Sequence, residues 1–257
     1  VPVDIDDKFG AVDERPSGNL AFHINSFKFP DDEAEALRNV HFELKQGETL
    51  GIVGKTGSGK TTILKLLMRE FEGYDGSIHF GEHSIDEYRK TKLREAIGYV
   101  PQDHFLFSST IYNNIAFTNP NAAKEDVEHA ASVAYIHDDI CTFTDGYKTV
   151  VGERGVSLSG GQKQRISIAR AVMMKPELLM LDDSLSAVDA KTEEAILEAL
   201  KKERENATTI ITSHRLSAIS HAHVIIVMEE GTIVEKGTHE ELMALRGKYY
   251  EMYELQQ

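Results

Sequence analysis

Hydrophobic and polar positions change period several times along this chain, and each change marks an element boundary. Residues 20–29 (LAFHINSFKF) alternate apolar and polar, which predicts a half-buried strand. Residues 40–44 continue in the same manner, and Gln46-Gly47 marks a turn. Residues 49–53 form a short apolar run that ends on Gly54, and beyond Thr61 the spacing of Ile63, Leu64, Leu66, Leu67 and Phe71 is helical. The block from about 110 to 175 reads as mostly helical. It includes residues 123–135 and a long helix after Ser159, an N-capping residue type, that stops before Pro176. An apolar strand (178–181), a charged amphipathic helix (191–204) and a β-branched strand (208–212) follow. Strand-like runs at 224–228 and 232–235 flank Glu229-Glu230-Gly231, which reads as a hairpin turn, and 240–255 predicts one or two helices.

Strands that alternate with helices predict an α/β domain with a parallel-sheet core, and the strand-poor block predicts an inserted helical lobe. Residues 1–18, with Pro2, Gly10, Pro16, Gly18 and many charges, read as a linker. Residues 19–257 read as the domain: core at about 19–102 and 176–237, helical part at about 103–175, terminal helices at about 238–257.

Composition narrows the partners. The 257 residues suffice for one large domain or two small ones, and the 41% hydrophobic content is that of a soluble globular chain. No apolar run approaches the roughly 18 residues of a membrane helix, and no signal peptide is visible. The formal net charge is −14, from 28 basic and 42 acidic residues. Nucleic-acid binding rests on neutralising phosphates, so no nucleic-acid partner is expected. A nucleotide is not excluded, because a phosphate pocket is local and uses backbone dipoles. Cys141, the single cysteine, forms no internal disulfide and reads as a small buried apolar residue in a reducing, cytosolic setting. The chain opens on Val1, as expected of a fragment of something longer.

Two motifs carry chemistry. Gly54-Lys55-Thr56-Gly57-Ser58-Gly59-Lys60-Thr61 has the spacing of a phosphate-binding loop between strand and helix. Glycines let backbone N–H groups turn inward around phosphates, and the helix beginning near Lys60 adds its positive end. Lys60 would neutralise the β- and γ-phosphates, and Thr61 would ligate Mg²⁺. Gly54, Thr56, Gly57, Ser58, Gly59, Lys60, Thr61 and Thr62 are thus the candidate ATP-binding residues of this loop. Downstream, Leu178-Leu179-Met180-Leu181-Asp182 is a buried strand that ejects a carboxylate at its end, where Asp182 would hold Mg²⁺ through water. Alone, that run reads first as a buried strand ending in an acidic turn; the loop upstream gives it its other meaning.

The order of these motifs, with Leu158-Ser159-Gly160-Gly161-Gln162 between them, resembles the nucleotide-binding domains of ABC transporters over about residues 20–257. The resemblance implies a P-loop, RecA-like core with an antiparallel β subdomain and an inserted helical subdomain. It implies ATP and Mg²⁺ as cofactors, with Thr61, Gln102 and Asp182 at the metal and Lys60, Gln102, Asp183 and His214 as the catalytic set. Gln102, in Tyr99-Val100-Pro101-Gln102, matches the loop glutamine that reaches Mg²⁺ and the attacking water. His214 matches the switch histidine at the γ-phosphate, and Phe29 the aromatic that stacks on adenine. Residues 158–162 match the signature that closes in trans over the ATP of a second domain. The loop Ser184 to Asp189 matches the segment that touches that domain, with Val188 where leucine is usual. Thr149 to Gly155 resembles an exporter motif in which Glu153 would touch the membrane part, and the segment from Thr238 to Tyr253 resembles exporter C-termini. The expected partners are a second ABC ATPase domain and a transmembrane domain of the same chain, preceding residue 1. The expected place is the cytoplasmic face of the cell membrane, and the expected work is export of drugs or other amphipathic molecules.

A further departure from the family pattern, beyond Val188, falls on the catalytic set. The residue after Asp182 is glutamate in the family, the general base or water-orienting group; here it is Asp183. One methylene fewer withdraws the carboxylate by about 1.5 Å, and a misplacement of about 1 Å costs on the order of 100-fold in rate. The resemblance therefore implies a weakened site in a heterodimer whose other subunit keeps the glutamate, while the signature here is intact; a tolerated substitution in a slow homodimer stays open as the alternative. Two other readings stay open: a soluble ABC ATPase of DNA repair or translation, and the separate ATPase subunit of an importer. The first usually brings tandem domains, coiled coils or zinc insertions, which this sequence lacks; the polar leader and the segment before the signature argue against the second.

Overall fold

The computed structural model describes residues 7–257 other than His104 and Thr118. The strands β1 (Leu20–Phe27) and β2 (Leu37–Leu44) pair antiparallel, with His23 opposite His41. Period two dictates which face is covered: Leu20, Phe22, Ile24 and Phe27 are buried. The strand expected over 20–29 stops at Phe27, where the chain turns. Phe29 O accepts from Asp32 N–H at 3.0 Å and Phe27 O from Ala36 N–H at 2.7 Å, and Pro30 has no N–H to extend a ladder. β3 (Thr49–Gly54) leads through the glycine loop into α1 (Lys60–Leu67). β4 (Asp75–Phe80) and β5 (His83–Ser84) complete the antiparallel sheet, in the order β2-β1-β4-β5. α2 (Lys90–Ala96) then delivers β6 (Ile97–Val100). No element was expected between residues 75 and 100.

The helical stretch contains a short ribbon, β7 (Ser109–Thr110) paired with β8 (Val150–Val151). Between these strands lie α3 (Ile111–Ala116), α4 (Lys124–Val133) and α5 (His137–Thr142), and α6 (Gly160–Met173) follows. Lys175, in the left-handed region at φ 47°, and Pro176 end the stretch. Cys141, expected to be buried, is exposed. It sits on α5, whose one buried residue is Ile140, and its Sγ lies 3.6 Å from His137 Nε2.

β9 (Leu178–Asp182), α7 (Ala190–Glu203), β10 (Thr208–Thr212), β11 (Val224–Glu229) and β12 (Thr232–Gly237) complete the core. Glu230 and Gly231, at φ 48° and 80°, make the two-residue turn of the last hairpin. α8 (His239–Leu245) and α9 (Lys248–Leu255) are separated at Arg246, φ 52°.

The central sheet runs β12-β11-β3-β10-β9-β6, parallel except for the edge strand β12. It is covered on both faces, which is why its strands read as continuous apolar runs. Alternate residues feed two cores. Leu178 and Met180 join Leu50, Ile52 and Ile210 beneath the antiparallel sheet and α1. Leu179 and Leu181 join Val53, Val100 and Ile211 beneath the helices of the 111–173 stretch.

Of the expected linker, residues 1–6 lie outside the described residues. Residues 7–18 lie against the domain: Val12 N–H donates to Glu87 O and Arg89 N–H to Val12 O, both at 2.8 Å. Arg15 reaches the Lys175 carbonyl. No helix among the described residues is long and apolar enough to cross a membrane.

Candidate active site

β3, β10 and β9 run parallel and end at one edge of the sheet. Loops at that carboxyl edge, the usual ligand position in open α/β sheets, line a cleft of about 540 Å³.

The glycine loop shapes its floor. Gly57 and Gly59 take φ 82° and 108°, a region that favours glycine. A Cβ on Gly59 would stand 2.9 Å from Leu37 Cδ2, and one on Gly54 would stand 2.5 Å from Met228 O. Lys60 folds back so that Nζ donates to Gly54 O. Burial holds its ammonium below the ordinary pKa, opposed by Asp183 and Asp182.

Asp182 ends β9 and receives three hydroxyls. Thr212 donates to Oδ1 at 2.7 Å, and Tyr99 and Thr61 donate to Oδ2 at 2.9 Å and 3.3 Å. Sheet register brings two of these donors in, since Thr212 stands beside Asp182 and Tyr99 beside Met180. Burial, and then the neighbouring Asp182, push the Tyr99 phenol well above its ordinary pKa, so it stays a donor. Sequence reasoning missed both Tyr99 and Thr212; parallel pairing of the three strands is the signal that finds them.

Asp183 has φ 52°, a conformation that aspartate tolerates better than most side chains. Its N–H donates to Thr212 O at 2.9 Å, and its Oδ2 lies 3.6 Å from His214 Nε2. Burial raises its pKa above the ordinary value, offset in part by His214 and Lys60. His214 follows β10. Next to it, Arg215 donates to Val188 O at 2.9 Å and to Leu185 O, and pairs with the Glu193 carboxylate at 2.5 Å. The loop of His214 is thereby tied to the loop that follows Asp183.

Phe29, Thr56, Thr62 and Gln102 line the same cleft. Phe29 packs edge-on against Phe27 and Phe71, with ring centroids 5.2 and 5.1 Å away. Asp32, Glu35, Glu230 and Gly231 also line it, none of them expected from sequence. The structure thus brings Phe29, Lys60, Thr61, Gln102, Asp182, Asp183 and His214 together. Gly54 and Ser58 belong to the loop without lining the cleft.

Glu153, Asp189 and residues 158–162 stand outside it. Ser159 caps α6: its Oγ accepts from Gln162 N–H at 3.1 Å, and Gln162 Oε1 accepts from Ser159 N–H at 3.0 Å. This reciprocal capping box leaves the serine hydroxyl proton free to donate. Gly161 has a reason within the chain, since a Cβ there would stand 2.8 Å from Ala187 O. Asp189 caps α7 by accepting from Thr192 N–H at 2.8 Å. Leu158 departs from expectation. It is 7% exposed and packs into the core, so its side chain anchors the segment and presents nothing to a ligand outside.

Phosphate loops of this spacing serve many ATPases; a capped Ser-Gly-Gly-Gln helix standing apart from the cleft restricts the class to ABC-type nucleotide-binding domains. The ABC transporter family profile matches residues 37–186, and the chain belongs to that family. It is 48% identical over 254 residues to a probable multidrug resistance ABC transporter ATP-binding/permease protein of Bacillus subtilis, YheI, covering 99% of this chain and 43% of that protein. It is 48% identical over 240 residues to the multidrug resistance-like ATP-binding protein MdlA of Escherichia coli, covering 93% of this chain and 41% of that protein. Among solved structures, a bacterial Atm1-family ABC exporter with ATP bound superposes with a TM-score of 0.92 at 37% identity. It covers 100% of this chain and 45% of that one. The chain spans less than half the length of these relatives.

Proposed function

We propose that this chain hydrolyses ATP to drive export by a larger transporter, and that its own site turns over slowly. The convergence of Lys60, Thr61, Asp182, Asp183 and His214 on one cleft carries the reading. Phe29 offers a ring face to adenine, and the loop N–H groups with Lys60 hold the phosphates. Mg²⁺ suits the donor set. Thr61, Gln102 and Asp182 are hard oxygen ligands, and among the described residues no three His, Cys, Asp or Glu side chains form a dedicated metal cage. That is the environment of an ion that keeps waters and shares substrate phosphates. Thr61, Gln102 and Asp182 would hold the ion, which would supply positive charge against the phosphates. His214 would donate to a γ-phosphate oxygen, and Asp183 would orient water and take up its proton on a carboxylate about 1.5 Å shorter in reach than that of glutamate.

Ser159, Gly160, Gly161 and Gln162 would act in trans, on ATP held by a second domain. The serine proton and the N-terminal end of α6 point to an anion. Asp189 would contact that domain, whose own site keeps a glutamate base, and Glu153 would contact the membrane part. A second surface supports the membrane partner. Phe105 and Phe117 are 65% and 52% exposed, and both pack on Phe107, with centroids 5.1 and 4.6 Å apart. Arg170 lies over two of these rings at 5.2 and 5.5 Å. An exposed aromatic patch of this kind marks an interaction site. We assign it to a membrane-spanning part of the same protein, because YheI is an ATP-binding/permease protein of which this chain matches 43%. The domain would sit at the cytoplasmic face of the membrane, with drugs or other amphipathic molecules as cargo.

The test is the ATPase rate of the assembled transporter. Asp183→Asn is expected to change it little, and neutralising the partner's base to remove most of it. Equal losses from the two would overturn the asymmetry, and ATP binding that survives Lys60→Ala would overturn the site.

A further inference from the structure

The His214 ring is 53% exposed and, among the described residues, is paired only with Asp183. Its packing does not fix it, so its position depends on how its backbone is held. Gln256, forty-two residues downstream, holds that backbone. Its Nε2 donates to His214 O at 2.7 Å, and its Oε1 accepts from Leu216 N–H at 2.9 Å. One planar carboxamide therefore spans both sides of Arg215, as a neighbouring strand would.

Gln256 caps α9, and α9 is anchored at its other end. The N–H groups of Lys248 and Tyr249 donate to the Glu235 carboxylate at 2.7 and 3.0 Å. Gly247 makes room for that carboxylate, since a Cβ there would stand 2.1 Å from Glu235 Oε2. Tyr249 is fully buried, with its hydroxyl 2.7 Å from His239 Nδ1. Glu235 belongs to β12, and the turn that opens β12 reaches the phosphate loop, where Gly231 N–H donates to Ser58 O at 2.8 Å. The path is closed: phosphate loop, Gly231 turn, β12, α9, Gln256, His214.

Resting on the reading of His214 as the γ-phosphate contact, we propose that Gln256 is a positioning residue for His214. In this role α9 is a strut that sets the histidine against the phosphate loop. Gln256 touches no reacting atom; it acts by fixing the carbonyl of the residue that does. A rigid two-point clamp matters because a contact group displaced by about 1 Å loses much of its effect.

The experiment compares Gln256→Ala, Gln256→Met, Gln256→Glu and His214→Ala in the assembled transporter. The partner's base is neutralised, and single-turnover hydrolysis and ATP affinity are measured separately. Gln256→Ala and Gln256→Met are expected to slow hydrolysis by about 3- to 10-fold with ATP affinity unchanged. Gln256→Glu, which keeps the bond from Leu216 N–H but sets a carboxylate oxygen against the His214 carbonyl in place of the donor, should slow hydrolysis at least as much as Gln256→Ala. In this chain alone, NMR relaxation of the His214 ring Cε1–H should show increased mobility in Gln256→Ala, with the rings of histidines remote from α9 unchanged. Hydrolysis at the parent rate in Gln256→Ala while His214→Ala is inactive overturns the strut alone, as does an unchanged His214 relaxation. If His214→Ala hydrolyses normally, the underlying reading of His214 fails, and the strut falls with it. Gly247→Ala reaches the other end of α9 and should reproduce the Gln256→Ala relaxation; a rigid His214 in that variant also counts against the strut.

Discussion

The Asp183 carboxylate faces the His214 imidazole at 3.6 Å, with Oδ2 toward Nε2. The two residues follow neighbouring parallel strands, β9 and β10, whose ends are bonded together. His214 follows β10, and Asp183 N–H is bonded to the last carbonyl of β10, Thr212 O, at 2.9 Å. The pair is therefore set by the sheet, and its reach into the cleft is set by the length of one side chain. Asp183→Glu is expected to raise single-turnover hydrolysis at this site on the order of 10- to 100-fold, with ATP affinity little changed. Rapid-quench kinetics with the partner's base neutralised would show it; a flat rate would mean that reach is not what limits this site.

Asp183 also makes stability depend on pH. Burial holds its folded-state pKa above the ordinary value, so its ionised form costs stability. Below the ordinary carboxylate pKa the group is protonated in both folded and unfolded chains, and the cost is absent. It grows as pH rises between the two values and is complete above the raised one. Asp183→Asn removes this cost. The variant should melt higher than the parent at pH 7 to 8, with the gap closing as pH falls toward the ordinary carboxylate range. Melting curves across that range check the sign, and a gap independent of pH would contradict it.

Thr212→Val tests the support of Asp182. The substitution keeps the side-chain shape and deletes the donor that holds Oδ1 at 2.7 Å, leaving Tyr99 and Thr61 on Oδ2. A hydrogen bond to a buried carboxylate contributes about 1.5–3 kcal/mol. Loss of such an orienting partner typically weakens metal affinity by about 10- to 100-fold. The expected result is a higher Mg²⁺ requirement for hydrolysis and a lower denaturation midpoint, both restored in Thr212→Ser.

Gly161→Ala separates the two roles proposed for the chain. The new methyl would stand 2.8 Å from Ala187 O, so the start of α6 and the loop after β9 must part. Overpacking of this kind costs about 1–3 kcal/mol. Residues 158–162 do not line this chain's cleft, so its own ATP affinity should hold while ATPase of the assembled transporter drops. Titration with a fluorescent nucleotide alongside steady-state turnover distinguishes the two, and parallel losses would argue against action in trans.

What the sequence reveals follows from the range over which each device acts. The glycine loop, the Ser159 cap and the stop at Pro176 are local, and their physics is complete within a few residues. Asp182 is legible because the phosphate-loop spacing upstream gives meaning to an apolar strand that ends in a carboxylate. The hydroxyls that hold it are not, because Tyr99 and Thr212 reach it only through the register of β6, β9 and β10. β6 itself, four residues of Ile-Gly-Tyr-Val, is too short to display a period. Gln256 lies forty-two positions from the backbone it holds, and nothing near it announces a partner. Cys141 escapes the rule that lone cysteines are buried because its helix turns only Ile140 inward. Leu158 was grouped with its polar neighbours in the signature, although a leucine beside a helix cap is there to be covered.

Ser159 and Gln162 satisfy one another's backbone groups within a single chain. The tip of α6 is therefore finished before any second domain arrives. A recognition segment that ordered only on contact would lose about 0.5–1.5 kcal/mol of entropy for each side chain immobilised. Here that loss has already been met during folding. The shape that residues 159–162 present to any partner is thus set within this chain alone.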